Sequence, residues 1–184
     1  MQLPGPARAI SPFYVWGCNF AIRKSILVQA GGFHPDGMPN ELIRFRGDGE
    51  THIAQFVATS GMKSLFHPAA TIQHKVTPER MTLGYFRQRG FNQGVSDSYT
   101  ALREGANQPQ PLWTLPSRLA HGVGRRLEAA WFNLRSPPEA RRARVEEWAG
   151  YQEGYAFHQD AYRTDESVRA WVHKPTYFNS LSTV

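Results

Sequence analysis

The stretch RGDGETHIAQFVATSG, residues 46–61, contains the clearest structural signal in the sequence. Two acids, Asp48 and Glu50, stand among glycines at its start. Apolar residues then recur at helical spacing as far as Gly61, a residue type that commonly ends helices. The stretch therefore predicts a helix over 50–60, preceded by a glycine-rich acidic turn.

The position of Asp48 and Glu50 before a predicted helix allows two interpretations. Glycine lets a backbone approach a ligand closely, and a helix N-terminus carries partial positive charge with free N–H groups. The turn could therefore hold catalytic carboxylates or a phosphate. The other interpretation is an acid pair that only caps the helix after a tight turn.

Outward from this stretch, the pattern predicts alternating strands and helices up to residue 104. Residues 1–11 are a loose lead-in, and residues 33–49 form a loop. The predicted strands are Phe13–Ile22, Lys63–Phe66 and Ala70–His74, and the predicted helices besides 50–60 are Arg23–Ala30 and Met81–Ala101.

A helical tail is predicted beyond a proline-rich boundary at residues 105–116. Amphipathic spacing favours one helix over 119–134, and a second begins at the prolines of Ser136-Pro137-Pro138 and runs through Val145 to Tyr155. Thr164 or Asp165 caps a short last helix. The predicted domains are 1–104, the linker 105–116 and the tail 117–184.

Composition narrows the class of protein. The 184 residues carry 21 Lys and Arg against 15 Asp and Glu, a net charge of +6, which suits a phosphate-rich partner or an anionic membrane surface. The single cysteine, Cys18, excludes an intramolecular disulfide framework. There is no apolar run of about 18 residues and no apolar core of a signal peptide at the N-terminus. A cytoplasmic chain, at most peripheral at the inner face of the cell membrane, is expected.

Two further segments contain residue types that bind anions or metals. His67 and His74 flank a predicted strand, where an imidazole could bind a divalent cation or a phosphate or be a hydrogen-bonded structural residue. Residues 80–91 combine arginines with aromatic rings, a pattern that suits phosphate and sugar binding or simply a helix with an aromatic core face.

In order along the chain, these segments resemble the C-terminal half of the family 2 glycosyltransferase catalytic domain. The resemblance is carried by the ordered set over about 90 residues and not by any one motif. Its members here are Gly17-Cys18-Asn19 with Arg23, Gly31-Gly32-Phe33, Gly47-Asp48-Gly49-Glu50-Thr51, Gly61, Pro68-Ala69, His74, Arg80-Met81-Thr82, Tyr85-Phe86, Arg89 and Gly94. The last helices, with Gly154-Tyr155, Phe157-His158-Gln159 and Trp171-Val172, resemble the tail of some members.

The resemblance implies an α/β fold, namely a partial GT-A-like fold that lacks the N-terminal nucleotide-binding half and is followed by an α-helical tail. It implies inverting transfer of a sugar from a nucleotide-diphosphate donor to the hydroxyl of a glycan or lipid-linked acceptor. The acidic motif would hold the catalytic base. Counting back from Gly61 places Glu50 at the position of the family's catalytic base. Asp48 is the alternative, because Gly49 stands here in place of the acid that precedes the base in the family.

Other site residues are carried over from the same resemblance. Trp16 and Asn19 would border the donor or acceptor pocket, Arg87 or Arg89 would lie near the diphosphate, and His74 would bind a divalent metal, Mg²⁺ or Mn²⁺. The family's Asp-x-Asp metal motif belongs to the missing half, and no two of the five aspartates here have that spacing.

Without a donor-binding half, this chain is expected not to turn over alone. Either that half lies upstream in a longer reading frame or another chain supplies it. Unpaired strand edges would favour a homodimer. The alternative function is a non-catalytic basic module for an anionic membrane surface or nucleic acid. It rests on residues 110–150, which hold seven Arg against four Glu, with Trp113, Trp131 and Phe132 around the first tail helix. No nucleic-acid motif accompanies this charge, so a nucleic-acid partner is not expected.

Overall fold

A computed structural model of the chain describes residues 5–15, 17–105 and 135–178. These residues form two compact units. The first unit is discontinuous and combines Met1–Val76 with Asp165–Val184, whereas the second is the continuous segment Thr77–Thr164. The acidic turn at residues 47–50 belongs to the first unit.

The first unit contains a small two-stranded antiparallel sheet. Strand β1 (Arg8–Ile10) pairs with β2 (Ser64–Phe66), so that Arg8 lies opposite Phe66. The Arg8 guanidinium lies 5.0 Å from the centre of the Phe66 ring, a cation–π contact across the two strands. The prediction of a strand at 63–66 is confirmed, but β1 lies in the segment that was predicted to be a loose lead-in.

Three helices complete the first unit: α1 (Lys24–Gln29), α2 (Glu50–Thr59) and α5 (Glu166–Val172). Helix α2 ends in a glycine cap, in which Met62 N–H donates to Val57 O and Gly61 N–H to Ala58 O. Its buried face is Ile53, Ala54 and Val57. The helix predicted over 50–60 is therefore confirmed to within a residue.

Helix α5 closes the first unit from the C-terminal end of the chain. Asp165 is its N-cap, because the carboxylate accepts a hydrogen bond from Ser167 N–H at 2.8 Å, as the sequence predicts. Val168 and Val172 are fully buried.

The predicted α/β fold is wrong for the described residues, which are mainly helical and contain only the two short strands. The predicted strand Phe13–Ile22 instead forms two short 3-10 helices, Pro12–Tyr14 and Gly17–Asn19. The segment 70–74 is exposed and has no regular secondary structure. Strand propensity depends on a partner strand to pair with, and here β1 and β2 pair only with each other within the described chain. The described residues therefore do not form a partial GT-A-like fold.

The second unit is built from two long helices, α3 (Leu83–Arg103) and α4 (Pro138–Thr164). Helix α3 follows a short 3-10 helix at Pro78–Met81 and is capped by Thr82, whose hydroxyl accepts from Tyr85 N–H at 3.2 Å. The predictions of a helix at 81–101 and of one that begins at the Pro137-Pro138 pair are confirmed. The helix predicted at 119–134 and nearly all of the predicted linker 105–116 lie outside the described residues.

Helices α3 and α4 run in the same direction and touch along glycines. A Cβ atom on Gly90 would lie 1.9 Å from Glu147 O, and one on Gly94 would lie 2.1 Å from Tyr151 O. From the other side, a Cβ on Gly150 would lie 2.0 Å from Arg87 O. Small residues four apart on both helices therefore let the two backbones meet directly. Farther along, Ser98 and His158 form a buried hydrogen bond of 2.9 Å.

Within the described ranges, no helix combines the length and the apolar character that crossing a lipid bilayer requires.

Candidate functional site

Glu50 is the first residue of α2, and its carboxylate lies against the backbone of Gly17. A Cβ atom on Gly17 would be 2.0 Å from Glu50 Oε1 and 3.0 Å from the carboxylate carbon. Only a residue without a side chain can therefore stand at position 17 while Glu50 keeps this conformation. Glu50 as a whole residue is partly exposed.

Asp48 forms a buried hydrogen bond with His34. Its Oδ1 lies 2.6 Å from His34 Nδ1, and the two side chains are 6% and 3% exposed. A carboxylate can only accept, so the hydrogen of this bond belongs to His34 Nδ1. The two acids of the turn thus have different neighbours, the backbone of Gly17 for Glu50 and the buried His34 ring for Asp48.

The His34 ring is enclosed by two other rings. His52, from α2, stacks on it with ring centres 3.9 Å apart, and Tyr177 meets it edge-on at 5.3 Å. His52 is itself fixed, because its Nε2–H donates to Ala30 O at 2.7 Å. The histidine that holds Asp48 therefore has little room to turn.

The backbone of the acidic turn is tied to residues 35 and 36. Gly47 N–H donates to Pro35 O, and the Arg46 guanidinium donates to Asp36 O. The Asp36 carboxylate packs over Gly49, where a Cβ atom would be 2.9 Å from it. Segment 34–36 thus lies alongside segment 46–49 and contacts it at every residue.

Arg46 supplies the positive charge next to the acids. Burial lowers the pKa of Arg46, while the carboxylates of Asp36 and Glu50 act in the opposite direction by stabilising its cation. An arginine stays protonated even so, which makes this a fixed cation beside Glu50.

The C-terminal segment, residues 165–178, contacts the site through Trp171 and Tyr177. Trp171 Nε1–H donates to Phe45 O at 2.7 Å, and Tyr177 OH donates to Trp171 O at 2.6 Å. Asp165 and Arg44 form an exposed ion pair at 3.5 Å. Residues near the chain's C-terminus therefore support both the backbone just before the acidic turn and the His34 ring.

Of the predicted substrate-binding residues in this unit, Asn19 has a hydrogen-bonding role in the fold. Its side-chain amide donates to Ala70 O at 2.7 Å, which joins the Gly17–Asn19 turn to the segment after β2. Trp16 lies outside the described residues. His74 is exposed and lies in residues 70–77, which have no regular secondary structure.

Arg87 and Arg89 lie on α3 in the second unit, and each faces carboxylates of α4. Arg87 bonds Glu146 at 2.8 Å and Glu153 at 2.5 Å, and these hydrogen bonds, the one to Glu146 first, raise the pKa of Arg87. Arg89 lies 3.6 Å from Glu147. Their place beside a diphosphate stays a prediction, and in this structure both arginines join the two helices.

The predicted metal was tested against the described side chains. No three His, Cys, Asp or Glu residues among them cluster closely enough to hold a metal ion, and His74 belongs to no such group. The predicted divalent metal stays a prediction.

Sequence reasoning missed His34, Arg46, His52 and Tyr177. Position 34 directly follows the Gly31-Gly32-Phe33 motif and could have been noticed as a histidine beside a motif. Arg46 directly precedes the acidic turn and was visible in the motif, although no role was assigned to it. His52 is brought to the turn by helix α2 and Tyr177 by the C-terminal segment, and no local pattern indicates either contact.

The site thus combines partly exposed Glu50 at a helix N-terminus with Gly17, whose backbone contacts the Glu50 carboxylate. Arg46 and the buried His34–Asp48 pair complete it. Such a set can accept a proton at Glu50 and attract an anion to Arg46. No known protein family, no curated protein and no solved structure matches the chain.

Proposed function

We propose that the chain takes part in inverting glycosyl transfer from a nucleotide-diphosphate sugar, with Glu50 as the catalytic base. The approach of the Glu50 carboxylate to Gly17 supports this most directly, because two separate motifs of the family resemblance meet at one point. The proposal depends on these side chains and not on a GT-A-like fold, which the described residues do not have.

In the proposed reaction, Glu50 accepts a proton from the acceptor hydroxyl as its oxygen attacks the anomeric carbon of the donor. The bond between the anomeric carbon and the diphosphate oxygen breaks, and the configuration at the anomeric carbon inverts. A carboxylate within hydrogen-bond reach typically contributes about 10²- to 10⁴-fold to such a step.

The hydrogen bond between Asp48 and His34 favours Glu50 over Asp48 as the base. Asp48 is 6% exposed and already accepts a hydrogen bond from His34, so an acceptor hydroxyl cannot reach it without breaking the pair. Glu50 is partly exposed and stands where the helix N-terminus adds partial positive charge.

Arg46 fits this reaction as an electrostatic partner. The donor brings a diphosphate with several negative charges towards a site that already holds the Asp36 and Glu50 carboxylates. A cation between them offsets part of that repulsion. A divalent metal, if bound by other ligands, would supply further charge stabilisation to the leaving group.

The test is Glu50→Gln in a transfer assay in which a co-expressed nucleotide-binding half is supplied to this chain. The substitution keeps the shape of the side chain but removes the base, so the transfer rate should fall about 10²- to 10⁴-fold. Glu41→Gln, an identical change at an exposed glutamate of the same unit, is the matched control and should leave the rate unchanged.

Transfer by Glu50→Gln at the rate of the unchanged chain would refute the assignment of Glu50. If Glu50→Gln kept full transfer while folded Asp48→Asn had none, Asp48 would be the base instead. The alternative function as a basic membrane-binding module rests on residues 110–150, most of which lie outside the described residues, and it stays a prediction.

A further inference from the structure

His34 is a buried side chain for which the proposed reaction has no direct use. It is 3% exposed, it donates through Nδ1–H to Asp48, and its ring is covered by His52 and Tyr177. No substrate can contact an imidazole enclosed in this way. Any role in catalysis must therefore act through another residue.

The residue through which it can act is Glu50, two positions after Asp48. Between them Gly49 has φ +55° and ψ −115°, a conformation that only glycine adopts without strain. Gly49 does not fix the conformation of this turn by itself, because glycine has many other conformations available. The conformation of the turn must therefore be fixed by the contacts of the residues on either side of Gly49.

Those residues are held on one side by α2 and on the other by segment 34–36. The segment supplies the His34 bond to Asp48, the Pro35 carbonyl for Gly47 N–H and the Asp36 carbonyl for Arg46. Of these three, the His34–Asp48 bond involves the residue next to Gly49 and joins two side chains that are almost fully buried.

We propose that His34 is a positioning residue for Glu50. Its hydrogen bond to Asp48 holds the 47–49 turn in the conformation that directs the Glu50 carboxylate to Gly17. The importance of this for catalysis rests on the proposed function, but the geometry itself is testable without turnover.

The first experiment uses NMR on the full chain and measures the nuclear Overhauser effect between Gly17 Hα and Glu50 Hγ. These groups are in contact, since Glu50 Cγ is 3.6 Å from the position of a Cβ on Gly17. His34→Leu removes the donor and should abolish the signal. His34→Asn keeps an N–H donor close to the position of Nδ1 and should restore it.

His158→Leu is the matched control, because it removes a buried histidine and its hydrogen bond from the second unit. It should leave the Gly17–Glu50 signal unchanged. If His34→Leu does not fold, Asp48→Asn replaces it in the experiment. That variant keeps the shape of the pair without its charge and should weaken the signal about twofold.

A Gly17–Glu50 signal of unchanged intensity in folded His34→Leu would overturn the inference, as would an unchanged signal in Asp48→Asn. Loss of the signal in His34→Leu with no recovery in His34→Asn would also overturn it, because the donor would then not be the cause.

The second readout is kinetic and uses the transfer assay described above. Misplacement of a base by about 1 Å costs roughly 100-fold in kcat, so His34→Leu should lose that much while the KM for the donor stays the same. An equal rise in KM with kcat preserved would contradict positioning of the base. If Glu50→Gln keeps full activity although His34→Leu loses the Gly17–Glu50 signal, the proposed function fails and the positioning of Glu50 by His34 stands.

Discussion

In the helix pair, the glycines at the contact are required because of their neighbours, whereas in the unit that holds Glu50 several glycines, Gly49 and Gly61 among them, have a positive φ that favours glycine. Gly94 has an ordinary helical conformation, yet a Cβ there would strike the backbone of α4 at 2.1 Å. Gly61 has nothing within 4 Å of a built Cβ, but its φ is +65°. Gly49 has both features, with φ +55° and the Asp36 carboxylate at 2.9 Å.

The difference shows what determines stability in each unit. The helix pair depends on how closely two backbones approach, so its weak point is added volume. The first unit depends on turns that fix the acidic residues, so its weak point is backbone conformation. One added methyl group should therefore have different consequences at different glycines, and matched substitutions can measure them.

Gly94→Ala should have the largest effect. The new methyl group would lie 2.1 Å from Tyr151 O and 2.7 Å from Tyr155 N, and backbone atoms cannot rotate away. We expect α3 and α4 to separate, and the free energy of unfolding to fall by about 3 kcal/mol. Urea denaturation, with hydrogen exchange at the buried residues Val95 and Tyr99, measures the change.

Gly84→Ala is the control for helix propensity in the same helix. A Cβ at Gly84 meets nothing within 4 Å, and alanine favours the helix, so the free energy of unfolding should rise by about 0.5 kcal/mol. If both alanines stabilised the protein, the close contact between α3 and α4 would be refuted.

Gly49→Ala should have the next largest effect, confined to the first unit. The substitution forces an L-residue into a backbone conformation that only glycine adopts easily and also presses on Asp36, at a cost of about 2 kcal/mol. Gly61→Ala has no steric clash, and its only cost is that of a left-handed backbone conformation, about 1 kcal/mol of the free energy of unfolding. Hydrogen exchange at Ile53 and Val57 reports both changes, and equal costs would show that Asp36 is not a steric restraint.

The smallest effect is expected at the Asp165 cap of α5. Hydrogen bonds from Ser167, first from its side chain and then from its backbone, lower the pKa of Asp165 in the folded state. The cap therefore stabilises the protein at pH values above the ordinary aspartate pKa. This stabilisation is lost as the pH falls through the lowered folded-state pKa.

Asp165→Asn keeps an N-cap but does not titrate, so its free energy of unfolding should depend less on pH in that acidic range. Denaturation of both proteins from neutral pH to the acidic range measures this. Parallel pH curves for the two proteins would contradict the role of the Asp165 carboxylate.

The elements that could be predicted from sequence are those fixed by local chemistry. The acidic turn, α2 with its Gly61 cap and the Asp165 cap depend on residues next to one another, and the structure has all of them. The strand at 13–22 was wrong because strand formation depends on a partner elsewhere in the chain. The α/β fold was inferred from a resemblance that contained such strands.

The candidate site divides in the same way. Glu50 and Asp48 were visible as a motif, but the buried bond of Asp48 was not, because His34 lies outside the motif. Tyr177 and Trp171 reach the site only through folding of a discontinuous unit, with Trp171 bonded to Phe45, 126 residues away. No local pattern predicts pairs of this separation.

The discontinuity of the first unit also has a consequence for the order of folding during synthesis. A ribosome produces every described residue of the helix pair by Thr164, so α3 and α4 can associate while α5 is not yet made. The acidic turn, in contrast, must wait for Trp171 and Tyr177 before its supports are complete. Until then His34 lacks one of the rings that cover it. The part of the chain that bears the proposed chemistry is thus the last to reach its final structure.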